Sequence, residues 1–306
     1  MNIFRNRRID NAGRGGDLII NGNFDIWQRG TSQTTSGYGS ADRWRLSAAA
    51  NISRQAFPIG QTDVPNNPDF FARVATTTAN TFLTQRIEGV RTLAGQTGTV
   101  SVWLRSESGA DINVSFNQNF GTGGSAQRTV PSQTINVSTQ WQKYDITFDI
   151  PSITGMSVGA NDYLELLFTF PVGSFDIAQV KLEKGNTATP FVPNFPFAEL
   201  ALCLRYCSPI SPGARLHGVN FDNQIFVSVP VSVPMRTTPV VTGGLSLNIR
   251  FNGTLLNAVS MAGIAVFNRL TSVDIRSTTT SSVPNQTQIS ASVWGGLTNS
   301  FLDAEL

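Results

Sequence analysis

A chain of 306 residues, 40% hydrophobic and only 14% charged, can bury a substantial core and is too long for one ordinary sandwich, so two domains are expected. Its 22 basic and 20 acidic side chains nearly cancel, which argues against the basic stripe of a nucleic-acid binder and the acidic run of a solvating tail. Ser, Thr, Asn, Gln and Gly hydrate the surface instead, a composition that suits packing against identical copies. No stretch approaches the ~20 apolar residues of a membrane span, and MNIFRNRRIDN has charges where a secretory signal needs its apolar run. Synthesis in a cytoplasm without membrane insertion is the expectation.

Residues 1 to 16 carry Arg5, Arg7, Arg8 and Arg14 among Asn and Gly with no sustained periodicity. They read as a basic arm, either a solvated tail or a peptide that docks on another component. From 17 to 195 the hydrophobic period is two. Val100, Val102 and Leu104 oppose Ser101, Trp103 and Arg105; Ile112, Val114 and Phe116 oppose Asn113, Ser115 and Asn117. The same alternation sets Tyr144, Ile146, Phe148 and Ile150 against Lys143, Asp145, Thr147 and Asp149. It sets Leu164, Leu166, Phe168 and Phe170 against Tyr163 and Glu165. Turn-rich stretches such as ESGAD, GTGGSA and SVGAND separate these runs, so the segment is expected to be an antiparallel sandwich.

FAELALCLRYC, preceded by Pro193 and Pro196 and ended before Pro209, is the clearest helix pattern. Leu200, Cys203, Leu204 and Cys207 recur at helical spacing, with Glu199 in the first turn. It predicts a helical connector over 196–210. The two cysteines, four apart, are expected to be buried thiols, since a bridge there would constrain little. Beyond 211 the alternation resumes in QIFVSVPVSV, LSLNIRF, GIAVF, SVDI and QISASVW. Pro230 and Pro234 suggest that the first of these is an edge or bulged strand. The fold class is therefore all-β: two antiparallel, jelly-roll-like β-sandwich domains, the second at 211–306 and oligomerising, joined by a short α-helix.

Enzymatic signatures are scarce. There is no G-x-S-x-G elbow, phosphate-binding glycine loop or H-E-x-x-H helix, and His217 is the single histidine, so neither a metal centre nor a cofactor is expected. A glycosidase carboxylate pair would need a second acid beside Glu165 that nothing in the pattern places. The chain reads as a non-enzyme.

IINGNFDIWQRG (Ile19 to Gly30) with ADRWRL, QRIEGVRTLAGQTGTVSVWLRS, WQKYDITFDI and LEKGNTATPF together make residues 17 to 191 resemble the jelly-roll carbohydrate-binding modules that recur in phage tail fibres and related virion proteins. The opening stretch and Glu199 to Tyr206 resemble the phage version in particular. Leu204 and Cys207 depart from it, standing where such helices often carry Gln and a second aromatic. The resemblance implies a virion structural protein, assembled in the host cytoplasm as a homotrimer with other virion proteins as partners. A tail fibre or tail-tip protein that contacts the host surface, through glycans, comes first. A capsid-associated fibre or decoration protein comes second, and an enzyme degrading surface glycan third.

Sugar-binding sandwiches stack aromatic rings on a pyranose face and hydrogen-bond its hydroxyls with flanking polar groups. Trp103, Arg105, Tyr163 and Glu165 alternate off the main apolar face and form the candidate glycan patch. The competing arrangement has Trp103 packed under the N-terminal segment or against another protomer, with Arg105 paired to Glu165. Arg5, Arg7, Arg8 and Arg14 are the candidate virion-attachment residues. Trp27 and Trp44 read as structural anchors.

Overall fold

A computed structural model describes residues 16–47, 50–210, 215–221, 224–242, 246–251, 254–260, 262–268, 272–278, 287–293 and 300–306. The basic arm with Arg5, Arg7, Arg8 and Arg14 lies outside the described residues. The chain divides into two compact units, one running to Glu199 and one from Leu200. Both are antiparallel β, so the chain is all-β, with one short helix among the described residues.

In the first unit, β1 (Ser32–Gln33), β3 (Ala50–Ala56), β4 (Phe70–Thr76), β6 (Gln96–Ser106), β9 (Gln142–Ile150) and β11 (Gly173–Lys184) form a six-stranded sheet in the order β1-β3-β4-β11-β6-β9. A five-stranded sheet holds β2 (Arg45–Leu46), β5 (Thr81–Glu88), β7 (Ala110–Asn119), β8 (Arg128–Val137) and β10 (Tyr163–Phe170) in the order β2-β5-β10-β7-β8. From β4 onward every connection except β7–β8 crosses between the sheets, and β11 returns to pair with β4. That is jelly-roll topology, which brings strands distant in sequence side by side. The alternating residues behave as their period predicts. Val100, Val102, Leu104, Ile112, Val114, Phe116, Ile146, Phe148, Leu164, Leu166 and Phe168 all enter one buried core between the sheets.

The opening motif at Ile19 to Gly30 meets the start of LEKGNTATPF in this unit. Asp17 Oδ1 accepts hydrogen bonds from the Ile19 and Leu182 amides at 2.9 and 3.1 Å, and Leu18 N donates to Leu182 O at 2.8 Å. Gln85 grips both backbone groups of Ile20 with its side-chain amide, at 2.8 Å each. Asn21, at φ 57°, ties Ile26 and Asp42 together through its side chain. The carboxylate of Glu199 accepts from the Asn21 amide and from Asn194 Nδ2. Gly22 is required here, since a Cβ would lie 2.0 Å from the Val180 carbonyl oxygen, whose own amide donates to Gly22 O. Trp44, 1% exposed, stacks on Phe24 at 5.1 Å and donates its indole N–H to Asn21 O. Trp27 gives its indole N–H to Phe24 O. Both tryptophans are buried in the main core, as structural anchors would be. Burial pushes the Asp25 carboxyl above its usual range, Asn23 eases it by hydrogen bonding, and Glu199 and Asp69 push it further up.

Helix α1 spans Pro196–Leu204, with Pro196 at its first position, where a missing N–H costs nothing. It ends sooner than the spacing predicts. Cys207 lies not in the helix but in strand β12 (Cys207–Ile210), and the helical connector expected over 196–210 is helical only in its first part. The chain turns at Tyr206, whose amide donates to Cys203 O, and Cys207 then pairs with Asp303. Periodicity placed Cys207 on the helix because a buried strand residue four positions beyond a buried helix residue mimics another turn. Both cysteines are buried and neither forms a disulfide.

The second unit contains β12, β13 (Arg215–Phe221), β14 (Gln224–Pro230), β15 (Val240–Thr242), β16 (Ser246–Phe251), β17 (Thr254–Ser260), β18 (Ala262–Asn268), β19 (Ser272–Thr278), β20 (Thr287–Val293) and β21 (Ser300–Asp303). They form a three-stranded sheet, β12-β21-β15, and a seven-stranded sheet, β17-β16-β20-β13-β14-β19-β18. Strand β14 is not an edge: it pairs with β13 on one side and β19 on the other. Pro230 fits because it is the last residue of the strand and the ladder with β13 ends at His217 opposite Ser228, two residues before it, so no ladder donor is missing on that side.

Candidate functional site

The four residues of the expected glycan patch do not come together. Trp103 and Arg105 project from β6 on the outer face of the six-stranded sheet. Tyr163 and Glu165 project from β10 on the outer face of the five-stranded sheet, with the core between them. Arg105 is not paired to Glu165 either; each has its own partner.

On the six-stranded side, Trp103 packs against a second apolar cluster of Phe57, Val64, Phe71, Trp141 and Ala178. It is partly buried there. The loop after β3 delivers Phe57 and Val64 to this cluster, and Gln61 fixes that loop by bonding both backbone groups of Val64 at 2.9 Å. Phe57, Phe71 and Trp141 contact one another at centroid distances of 4.7 to 5.4 Å. Next along the same face comes a charged row. Register sets Asp176 of β11 opposite Arg73 of β4 and opposite Arg105 of β6. Arg73 donates to the Asp176 carboxylate through Nε and Nη2 at 2.7 and 2.9 Å, and Arg105 donates through Nε at 2.8 Å. The guanidinium of Arg105 lies 4.9 Å above the Trp141 ring and 5.6 Å from Phe71. The hydrogen bond to Asp176 raises the already high pKa of Arg73, so the pairing persists across the physiological range.

This row borders a cleft of about 260 Å³. Arg73, Arg105 and Asp176 form its charged wall, the hydroxyl residues Ser106, Thr139 and Ser174 complete it, and Glu107 stands exposed at the rim. Ser106 Oγ is buried and has no hydrogen-bond partner. The arrangement offers fixed donors, one exposed carboxylate and hydroxyls of either sense. It can hydrogen-bond a polar ligand.

The five-stranded face is a different surface. Arg86 of β5 donates to Glu165 at 3.1 Å, Asn117 of β7 donates to the other carboxylate oxygen at 3.2 Å, and Thr129 of β8 donates to Asn117 at 2.9 Å. One polar ladder thus crosses four strands. Arg86 also lies 4.5 Å over the Tyr163 ring. Burial raises the Tyr163 pKa, and the neighbouring cation opposes that rise. Thr134 to Asn113 and Asn136 to Asp111, both at 2.7 Å, extend the polar pairing along β7 and β8. Glu165 is only 6% exposed, so this face spends its carboxylate on cohesion.

Arg73, Phe71, Trp141 and Asp176 were absent from the expected patch. Asp176 carried a readable signal, an acid alternating outward between Phe175 and Ile177. Trp141 carried none, because it sits at a turn just before β9.

No family model and no curated protein matches the chain. Among solved structures the chain is similar to a CBM4 carbohydrate-binding module, with 16% identity and a TM-score of 0.34 over 54% of this chain and 98% of that one. It is also similar to the CBM22-1 xylan-binding domain of Xyn10C from Paenibacillus barcinonensis, with 11% identity and a TM-score of 0.36 over 57% and 99%. A third likeness is to the enzymatically active domain of tailspike protein 4 of bacteriophage CBA120, with 12% identity and a TM-score of 0.36 over 55% of this chain and 21% of that one. The jelly-roll assignment itself rests on the strand order of the first unit.

Proposed function

We propose that the chain is a non-catalytic structural protein of a phage virion, a tail fibre or tail-tip component whose first sandwich contacts glycan on the host surface. The observation that carries the contact is the cleft beside Asp176, where two arginines are locked in place and hydroxyl side chains line an opening to solvent. The virion reading is supported by the motifs at Ile19 to Gly30 and Leu182 to Phe191, which build one interlocked clasp. The non-catalytic reading is supported by the state of two outward carboxylates. Asp176 is held by Arg73 and Arg105, and Glu165 by Arg86 and Asn117, on opposite faces of the sandwich, so they cannot flank one glycosidic bond. Assembly as a homotrimer through the second sandwich would multiply weak single contacts into firm attachment.

Immunogold labelling of intact virions with antibody against the second unit tests the placement. Label on fibres or tail tip is the expected result. Label spread over the head would replace this role with capsid decoration, and unlabelled particles would end the virion reading.

A further inference from the structure

We infer that the Asp176 cleft takes the hydroxyl edge of one uncharged, terminal sugar unit rather than an acidic glycan or the stacked face of a pyranose. This rests on the glycan-contact reading and specifies its ligand. Charge argues first. The ionisable side chains lining the cleft are Arg73 and Arg105 against Asp176 and Glu107, which balance formally. A carboxylate or phosphate on the ligand would have to compete with Asp176 for guanidinium forks that already hold it in three hydrogen bonds, and it would meet Glu107 at the rim. A neutral hydroxyl avoids both penalties, since it accepts from a guanidinium and donates to a carboxylate.

Stacking is excluded by what already covers the rings. Trp141 is 9% exposed with the Arg105 guanidinium over it, and Phe71 is 4% exposed with both Arg73 and Arg105 nearby. The rings hold the arginines and leave no apolar platform for a sugar. The remaining N–H groups of the two guanidiniums have no partner among the described residues. With Asp176 fixing each Nε, these donors keep a set direction, and the hydroxyls of Thr139 and Ser174 supply complementary groups. Size sets the last limit. A cleft of about 260 Å³ is smaller than the ~300–1,000 Å³ of sites that engulf drug-sized ligands, so it suits a chain end rather than an internal stretch.

The test is binding of the full-length protein to matched oligosaccharides ending in a neutral hexose, or in the corresponding uronic or sialic acid, with Glu107→Gln and Arg105→Ala alongside. Glu107 is exposed, so its substitution leaves folding intact. The expected result is selective binding of neutral termini by the wild type. Arg105→Ala should then weaken it by about tenfold or more, and Glu107→Gln should narrow the gap between neutral and acidic termini. Preference of the wild type for acidic termini would overturn the inference while leaving glycan contact standing. So would neutral binding that both variants leave unchanged. If no terminus of either class binds, the reading beneath it fails as well.

Discussion

The two outer faces of the first sandwich arise from the same alternation yet do different things with it. On the six-stranded sheet the outward residues are aromatic and charged, and a loop delivers Phe57 and Val64 to the rings while the Arg73–Asp176–Arg105 row stays at the edge of an open cleft. On the five-stranded sheet the outward residues include amides, hydroxyls, Arg86 and the carboxylates of Glu165 and Asp111. Arg86, Glu165, Asn117 and Thr129 satisfy each other in a ladder across four strands. An outward position is thus only permission to meet solvent. Whether a side chain does so depends on loops and cross-strand partners that the strand's own period does not encode.

The contrast can be broken by mutation. Trp141→Ala removes a buried ring that touches Phe57, Phe71 and Arg105 at once, and the expected loss is about 3 kcal/mol, read as a lowered unfolding midpoint in calorimetry. A loss near zero would mean that the aromatic cluster is not the support of the cleft. Glu165→Ala should cost about 2 kcal/mol, because Arg86 and Asn117 lose their shared acceptor in a half-buried setting. Its glycan binding should be unchanged. Loss of binding by a folded Glu165→Ala protein would move the contact to the five-stranded face.

The smallest effect concerns the clasp. The raised Asp25 pKa means that the folded state holds the proton more tightly than the unfolded chain does. The contribution of Asp25 is therefore fully present below its unfolded pKa and is lost as pH rises through the raised value. Asp25→Asn is accordingly expected to raise the melting temperature near neutral pH and to leave it unchanged in strong acid, as melting curves at the two pH values would show. A stabilisation of equal size at both would contradict the burial origin of the shift.

Much of the fold is legible in the alternation of apolar residues, because a half-buried strand must place Val100, Val102 and Leu104 on one side whatever its neighbours are. The pairing of Asp176 with Arg73 and Arg105 is not legible, since it depends on β11 lying between β4 and β6, a neighbourhood created by jelly-roll crossovers and not by sequence proximity. For the same reason Trp103 and Tyr163 look equivalent in the sequence but stand on opposite sides of the core. The helical spacing runs past the end of α1 because Cys207 is buried for a strand's reason, pairing in β12, at a position that also fits a helix. Asn21 and Glu199, far apart in sequence, are both conspicuous in motifs, and only the fold shows that one caps the other.

The most direct measurement is glycan binding by Arg105→Ala and Glu165→Ala side by side with the wild type, each first shown to be folded by circular dichroism. Loss of binding in Arg105→Ala with retention in Glu165→Ala is the predicted result. Retention in Arg105→Ala would contradict the assignment of host contact to the Asp176 cleft.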